Sequence, residues 1–259
     1  MKNILSLEGK RIWVTGGAGY LGSAVTQALD DAGAKVLCFD MFGRAAAFVE
    51  ANNLKNTVGR DFDFSNVDGL PEFVREMVLE HGVPDGVAHL AFASSSGKKL
   101  EEIDAECFNK TFDLTLAPAF VLCRELAGHM KPRGLGSIVL FSSMYGVVAP
   151  DPRIYAAPMT PNPIDYGAAK AAILQLSRYL AVHYGPDGIR FNCVTPGPFP
   201  NPAVQENHPQ FIKDLSHKTA LNRVGVNTEI VGPTLFLLSE SASFVTGHSL
   251  VVDGGWTAW

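Results

Sequence analysis

The chain has 259 residues, of which 47% are hydrophobic and 18% charged, with 25 glycines. That balance points to a soluble globular enzyme occupying one α/β domain over residues 1–259, and excludes a disordered or fibrous chain. A net charge of −5 argues against a nucleic-acid-binding surface, since such surfaces carry basic patches.

Taken in chain order, short apolar runs alternate with longer amphipathic ones. Arg11 to Val14, Lys35 to Phe39, Gly86 to Ala91, Ser137 to Phe141, Arg190 to Val194 and Ser249 to Val252 read as buried strands. Between them Gly19 to Ala32, Pro71 to His81, Phe108 to Met130, Tyr166 to Tyr184 and Asn227 to Leu238 read as helices. Continuous apolar strands covered by helices on both faces predict a single Rossmann-like, doubly wound parallel sheet. Two segments have neither period and are expected to be loops near the substrate: about 147–164, with Pro150, Pro152, Pro158, Pro161 and Pro163, and about 198–222. Met1 to Glu8 is too short an apolar run for a signal peptide, and no apolar stretch reaches membrane-spanning length, so a cytoplasmic location is expected. Cys38, Cys107, Cys123 and Cys193 are widely spaced. They suggest small buried side chains rather than a metal site or a disulfide framework.

The first strand runs into Val14-Thr-Gly-Gly-Ala-Gly-Tyr-Leu-Gly22, which places Gly16, Gly19, Tyr20, Leu21 and Gly22 where a strand turns into a helix N-terminus. Backbone amides and the helix dipole there suit a pyrophosphate, and glycine lets it approach closely. The second strand ends in Asp40, eighteen residues beyond Gly22 (40 minus 22). A carboxylate at that place accepts hydrogen bonds from a ribose diol and repels a 2′-phosphate, which predicts NAD over NADP. Arg44 lies close enough in sequence to soften that preference.

Tyr166 and Lys170 stand four residues apart, one helical turn, and so share a face. A phenol is a poor acid or base near neutral pH unless a cation stabilises its phenolate, and a lysine one turn on can do so.

With these features, Phe141-Ser-Ser143, Gly188-Ile-Arg-Phe-Asn-Cys-Val-Thr-Pro-Gly197, Asn222-Arg-Val-Gly225, Phe236-Leu-Leu-Ser239 and Thr246-Gly-His-Ser-Leu-Val-Val-Asp-Gly-Gly255 follow in order. Over essentially its whole length the chain resembles a short-chain dehydrogenase/reductase of the one-domain branch. The resemblance implies that Ser143 holds the substrate oxygen and that Tyr166 is the proton donor or acceptor. It also implies that Lys170 depresses the tyrosine pKa and bonds the nicotinamide ribose. Asp63 and Phe64 are expected beside the adenine, Ala91 on the cofactor at the fourth strand, and Pro196, Gly197 and Phe199 around the nicotinamide. It further implies a homo-oligomer, dimer or tetramer, in which the two longest helices pair.

Three departures stand out. The glycine spacing and Ala88-His-Leu-Ala-Phe-Ala93, in place of Asn-Asn-Ala-Gly, are similar to the extended branch, whose extra C-terminal substrate domain has no room here. Thr115 stands where the family's asparagine holds a relay water. Ser143 and Tyr166 are 23 residues apart (166 minus 143), a wider spacing than the one-domain branch shows. Tyr155 sits nearer the usual spacing, but the residue four beyond it is Met159, so Lys170 decides for Tyr166. Tyr145, Arg153 and Tyr155 are the expected substrate contacts, with Arg153 read first as a solvated loop arginine and second as a carboxylate anchor. Their polarity, and the likeness of Ser142-Ser-Met-Tyr-Gly-Val-Val-Ala-Pro150 to sugar-acid and flagellin-glycan dehydrogenases, suggest a sugar, sugar acid or polyol as the small-molecule substrate. The alternatives are a sugar epimerase or dehydratase with tightly held NAD, and an NAD-binding sensor.

Overall fold

The computed structural model describes residues 4–92, 95–156 and 159–259; Ala93 of the fourth-strand motif and Pro158 of the proline-rich segment lie outside them. Seven strands form one parallel sheet in the order β3-β2-β1-β4-β5-β6-β7. They are β1 Arg11–Thr15, β2 Lys35–Asp40, β3 Thr57–Asp61, β4 Gly86–His89, β5 Gly136–Phe141, β6 Ile189–Pro196 and β7 Ser249–Val252. The helices are α1 Tyr20–Asp31, α2 Arg44–Ala51, α3 Leu70–His81, α4 Ala105–Met130, α5 Ile164–Tyr184, α6 Pro202–Asn207, α7 Pro209–His217 and α8 Val231–Leu238. The order reverses between β1 and β4, and in such sheets the crevice at the carboxyl ends of the strands there is where ligands bind.

Alternation along β1 shows how the sheet is filled. Ile12 and Val14 pack with Val25, Leu29, Val139 and Leu237 beneath α1 and α8, whereas Trp13 turns the other way onto Phe39, Leu122, Leu126, Ile138 and Phe191 beneath α3, α4 and α5. Burial on both faces explains why the strands read as unbroken apolar runs. Trp13 meets Phe39 edge-on at 5.2 Å, and Phe39 meets Phe73 at 5.3 Å. Truncating a side chain of this kind costs about 3–5 kcal/mol.

Four elements escape the sequence reading for physical reasons. In β3, Thr-Val-Gly-Arg-Asp, only Thr57 is buried, so an edge strand lacks the apolar run that marks its neighbours. Helix α2 buries only Ala45; its alanines favour helix by propensity and leave no apolar stripe. Helices α6 and α7 begin with Pro202 and Pro209 in their first turns, where proline is tolerated, and they occupy much of the segment expected to be loop. Smaller differences are that β4 stops at His89 instead of Ala91, and that Asn227–Ile230 forms a 3-10 turn leading into α8. Helix α4 starts earlier than expected, at Ala105, because the Asp104 side chain accepts from Cys107 N at 2.8 Å. No helix among the described residues is long and apolar enough to cross a membrane.

A third apolar cluster sits over the carboxyl end of the sheet. Met144, Tyr145, Leu215 and Trp256 are its buried members, with Ile154, Tyr166, Phe211, Ile212 and Val224 against them. It docks α7 and the C-terminal turn onto the loop that follows β5.

Candidate active site

The cleft at the switch point begins at the glycine turn. Gly16 adopts φ +67°, and a Cβ there would lie 2.9 Å from Ala91 N. A Cβ on Gly22 would lie 2.0 Å from Gly16 O, so only glycine lets the first turn of α1 pack on the strand end. Gly19 differs: a Cβ would meet nothing nearer than Gly16 O at 3.2 Å, and its remaining surface faces the cleft. It is the N-cap of α1, with no side-chain cap and no acidic residue in the first turn. An uncapped, glycine-bordered helix N-terminus of this kind fits the pyrophosphate of a dinucleotide.

At one end of the cleft Asp40 is buried at the tip of β2. Its carboxylate accepts from Ala18 N at 3.0 Å and Met41 N at 2.9 Å, and it pairs with the Arg44 guanidinium at 3.2 Å. Asp40, Arg44, Asp63, Phe64 and Ala91 line this end together with Phe62, Ser65 and His89. Asp63 accepts from Ser65 N at 2.9 Å and Ser65 Oγ at 2.7 Å, which shapes the turn after β3. Asp61 instead holds Gly43 N at 2.6 Å, fixing the link into α2. His89 is bonded through Nδ1 to Thr15 Oγ1 at 2.7 Å; burial first, and Lys170 second, push its pKa down to about 3.

The other end is lined by Tyr20, Leu21, Ser143, Tyr166, Lys170, Pro196, Gly197 and Phe199, and it shares Gly16, Gly19, Leu90 and Phe92 with the first. The two ends therefore form one continuous cleft. Ser142 Oγ donates to Lys170 O at 2.7 Å and ties β5 to α5. Ser143 Oγ accepts from Tyr145 N at 3.2 Å as a cap, and its hydroxyl lies near enough to the Tyr166 phenol to lower that phenol's pKa. The Lys170 ammonium donates to Phe141 O at 3.0 Å and lies 5.9 Å from the Tyr166 ring centre. Burial pushes its pKa down to about 8.

One electrostatic expectation is not realised. Burial raises the Tyr166 phenol above its ordinary value, and only the neighbouring Ser143 hydroxyl opposes it. The ammonium is directed at the Phe141 carbonyl and the Phe92 ring, so it does not depress the phenol in this arrangement.

Asp165, just before Tyr166, is fully buried and accepts from Thr111 Oγ1 at 2.5 Å, Ser96 N at 2.8 Å and Ser96 Oγ at 2.7 Å. Burial raises its pKa, but these bonds outweigh it and the net direction is down. The loop after β4, helix α4 and the start of α5 are thereby fastened at one carboxylate. Thr115 is buried on the cleft wall with no hydrogen-bond partner for Oγ1.

The expected substrate contacts make polar bonds of their own. Arg153 leaves 84% of its side chain exposed and pairs with Asp151 at 2.7 Å. Lys218 pairs with the same carboxylate at 2.7 Å, and the two cations hold it well below the usual carboxylate range. Arg153 is thus an ion-paired, exposed loop arginine, the first of the two sequence readings. Tyr145 and Tyr155 bond each other, Oη to Oη, at 2.6 Å, and Tyr155 packs on Phe211 at 5.1 Å. Burial raises both phenols, most strongly Tyr145. They brace the loop against α7, and Tyr145 belongs to the apolar cluster on which Tyr166 packs.

With this geometry in view, the relatives are informative. A family model described as enoyl-(acyl carrier protein) reductase matches residues 17–257. A 2,5-dichloro-2,5-cyclohexadiene-1,4-diol dehydrogenase of Sphingobium indicum is 31% identical, with 97% of this chain and 98% of the relative covered. The chain belongs to the short-chain dehydrogenase/reductase superfamily. A probable galactose dehydrogenase of Rhizobium meliloti is 30% identical over 96% of this chain and 95% of its own. A crystal structure of a short-chain dehydrogenase from Leptospira borgpetersenii with bound NAD+ is 30% identical, with a TM-score of 0.87 over 99% of this chain and 96% of that one. The family works with a nicotinamide cofactor, and the glycine turn fits one.

Sequence reasoning missed Met41, Phe62, Phe92, Leu114 and Pro118, all on the cleft. Phe62 escaped because β3 did. Phe92 could have been found from its place just past the carboxyl end of β4, where doubly wound sheets bind ligands.

Proposed function

We propose that this protein is an NAD(H)-dependent oxidoreductase that interconverts a secondary alcohol and a ketone of a sugar, sugar acid or related polyol. The observation that carries the reading is that Ser143, Tyr166 and Lys170 line one cleft together, in continuity with the uncapped glycine turn. When bound, the nicotinamide supplies hydride transfer; the protein supplies alignment and proton movement. Ser143 Oγ holds the substrate oxygen, and Tyr166 Oη takes or gives the hydroxyl proton. Lys170 supplies the positive charge beside them. The glycine turn grips the pyrophosphate, and Phe199, Pro196 and Gly197 wall the reacting end.

Asp40 supports NAD. Its buried carboxylate stands where the adenosine ribose would lie, and the only cation beside it, Arg44, is already paired to it, leaving a 2′-phosphate facing negative charge. The diol and galactose dehydrogenases among its relatives support a polyhydroxylated substrate. The test is NADH formation at 340 nm across a panel of sugars, sugar acids and polyols, with NADP in parallel. Turnover of a panel member with NAD is expected, and Asp40→Ala should narrow the NAD-over-NADP preference by about tenfold or more, the worth of one or two charge-assisted hydrogen bonds. Unchanged cofactor selectivity in Asp40→Ala would overturn the ribose assignment. NAD that stays bound through gel filtration with no net NADH formation would favour an epimerase.

A further inference from the structure

Lys170 is a buried ammonium without a counter-ion. Among the described residues no carboxylate pairs with it. Its one hydrogen-bond acceptor is Phe141 O at 3.0 Å, although an ammonium has three protons to place. The titratable groups around it add no negative charge. His89 at the end of β4 is held neutral by burial, Cys193 on β6 is held as a thiol, its pKa pushed up to about 11 by burial, and Tyr166 on the same helix is held as a phenol. A charge so placed is costly unless something else faces it.

What faces it is an aromatic ring. The Lys170 Nζ lies 4.9 Å from the centre of the Phe92 ring, within the range where a ring face attracts a cation. The same ring meets Tyr166 edge-to-face, with centroids 5.3 Å apart and planes at 84°, a preferred aromatic geometry. One side chain from the β4 end thus touches both members of the pair on α5. Its backbone is fixed from the neighbouring strand. Leu90 N donates to Thr15 O at 3.0 Å and Ala91 N to Thr15 Oγ1 at 3.3 Å, and Gly16 packs closely on Ala91. Phe92 also belongs to the His-Leu-Ala-Phe segment in which this chain departs from the pattern of the one-domain branch.

We propose that Phe92 is a positioning residue of the reacting site: its ring face stands in for the missing counter-ion of Lys170 and its contact with Tyr166 sets the orientation of that ring. The inference rests on the reading of Tyr166 and Lys170 as the reacting pair, but its test needs no substrate. The ammonium is titrated directly, by NMR of protein labelled with [13Cε]lysine, with Lys170→Arg to assign the signal. Wild type is compared with protein carrying 3,4,5-trifluorophenylalanine in place of Phe92, which keeps the ring's shape and depletes the negative charge of its face. The same replacement at the fully exposed Phe244 is the control.

Fluorination at Phe92 is expected to lower the Lys170 midpoint by about half to one pH unit, the size of a desolvated cation–π contact, with no change for fluorination at Phe244. A midpoint unmoved by fluorination at Phe92 would show that the ring is only a spacer and would overturn the proposal, as would an equal shift from Phe244. A failure to find any turned-over alcohol would count against the proposed function and leave this titration intact.

Discussion

The two sides of the cleft were built by different rules. On the glycine-turn side, every residue expected on the cofactor, from Gly16 to Phe64 and Ala91, lies on the cleft. On the substrate side, Tyr145, Arg153 and Tyr155 are expected to meet the substrate, and their polar groups are already bonded to neighbours in the structure. The first side is governed by backbone geometry: a strand ends, a helix begins, and an added Cβ would come within 2.0 Å of backbone, which dictates glycine. On the second side the chain has no period, and its polar groups are free to satisfy one another. Asp151, Arg153 and Lys218 do so as a surface triad, and Tyr145 and Tyr155 as a hydroxyl pair.

Substitutions on either side test this contrast. The largest effect on stability should come from the buried cation between the two sides. Lys170 has a pKa lowered to about 8, whereas in the unfolded chain it lies near ~10.4. Between those values the unfolded state binds more protons than the folded state, so stability rises with pH across that window. Relative to Lys170→Met, wild type should therefore gain about 2–3 kcal/mol from pH 7 to pH 10.5 in urea unfolding. A flat difference would show that the ammonium is not paying a burial cost.

Within the glycine turn, Gly22→Ala should destabilise the protein by about 1–3 kcal/mol through overpacking. Gly19→Ala should leave the melting temperature nearly unchanged yet weaken NAD binding by about tenfold, as expected where a close ligand approach is lost. Calorimetric binding and thermal melts on both variants separate the two; equal loss of stability would erase the distinction between packing and ligand-facing glycines. The smallest effect is expected at Arg153. Arg153→Ala should change KM for the best substrate by less than about twofold, since an exposed ion pair contributes little. A tenfold rise in KM would return Arg153 to the substrate.

How much was legible in the sequence follows the same division. β1, β2, β4, β5 and β6 are readable because both of their faces are buried, and the edge strand β7 because Leu-Val-Val keeps an apolar run although it is only partly buried; β3 lacks such a run, and four of its five residues are at least partly exposed. Ser143, Tyr166 and Lys170 were readable because their spacing and motifs mark a shared site, and the structure brings them together on one cleft wall. The electrostatics were not readable. Whether Lys170 acts on the phenol depends on where Phe141 O and the Phe92 ring hold the ammonium, and both come from strands remote in sequence. Asp165 is a similar case: its three partners, on Ser96 and Thr111, are 69 and 54 residues away, and no local pattern announces them.

Tyr166, not Tyr155, is the tyrosine that should move the proton. Tyr166→Phe and Tyr155→Phe should be assayed side by side for NADH formation on the same substrate, with NAD affinity measured in each. The prediction is that Tyr166→Phe loses about 10²–10⁴-fold in kcat with NAD binding retained, while Tyr155→Phe stays within a few-fold of wild type. Full activity in Tyr166→Phe, with loss in Tyr155→Phe, would contradict it.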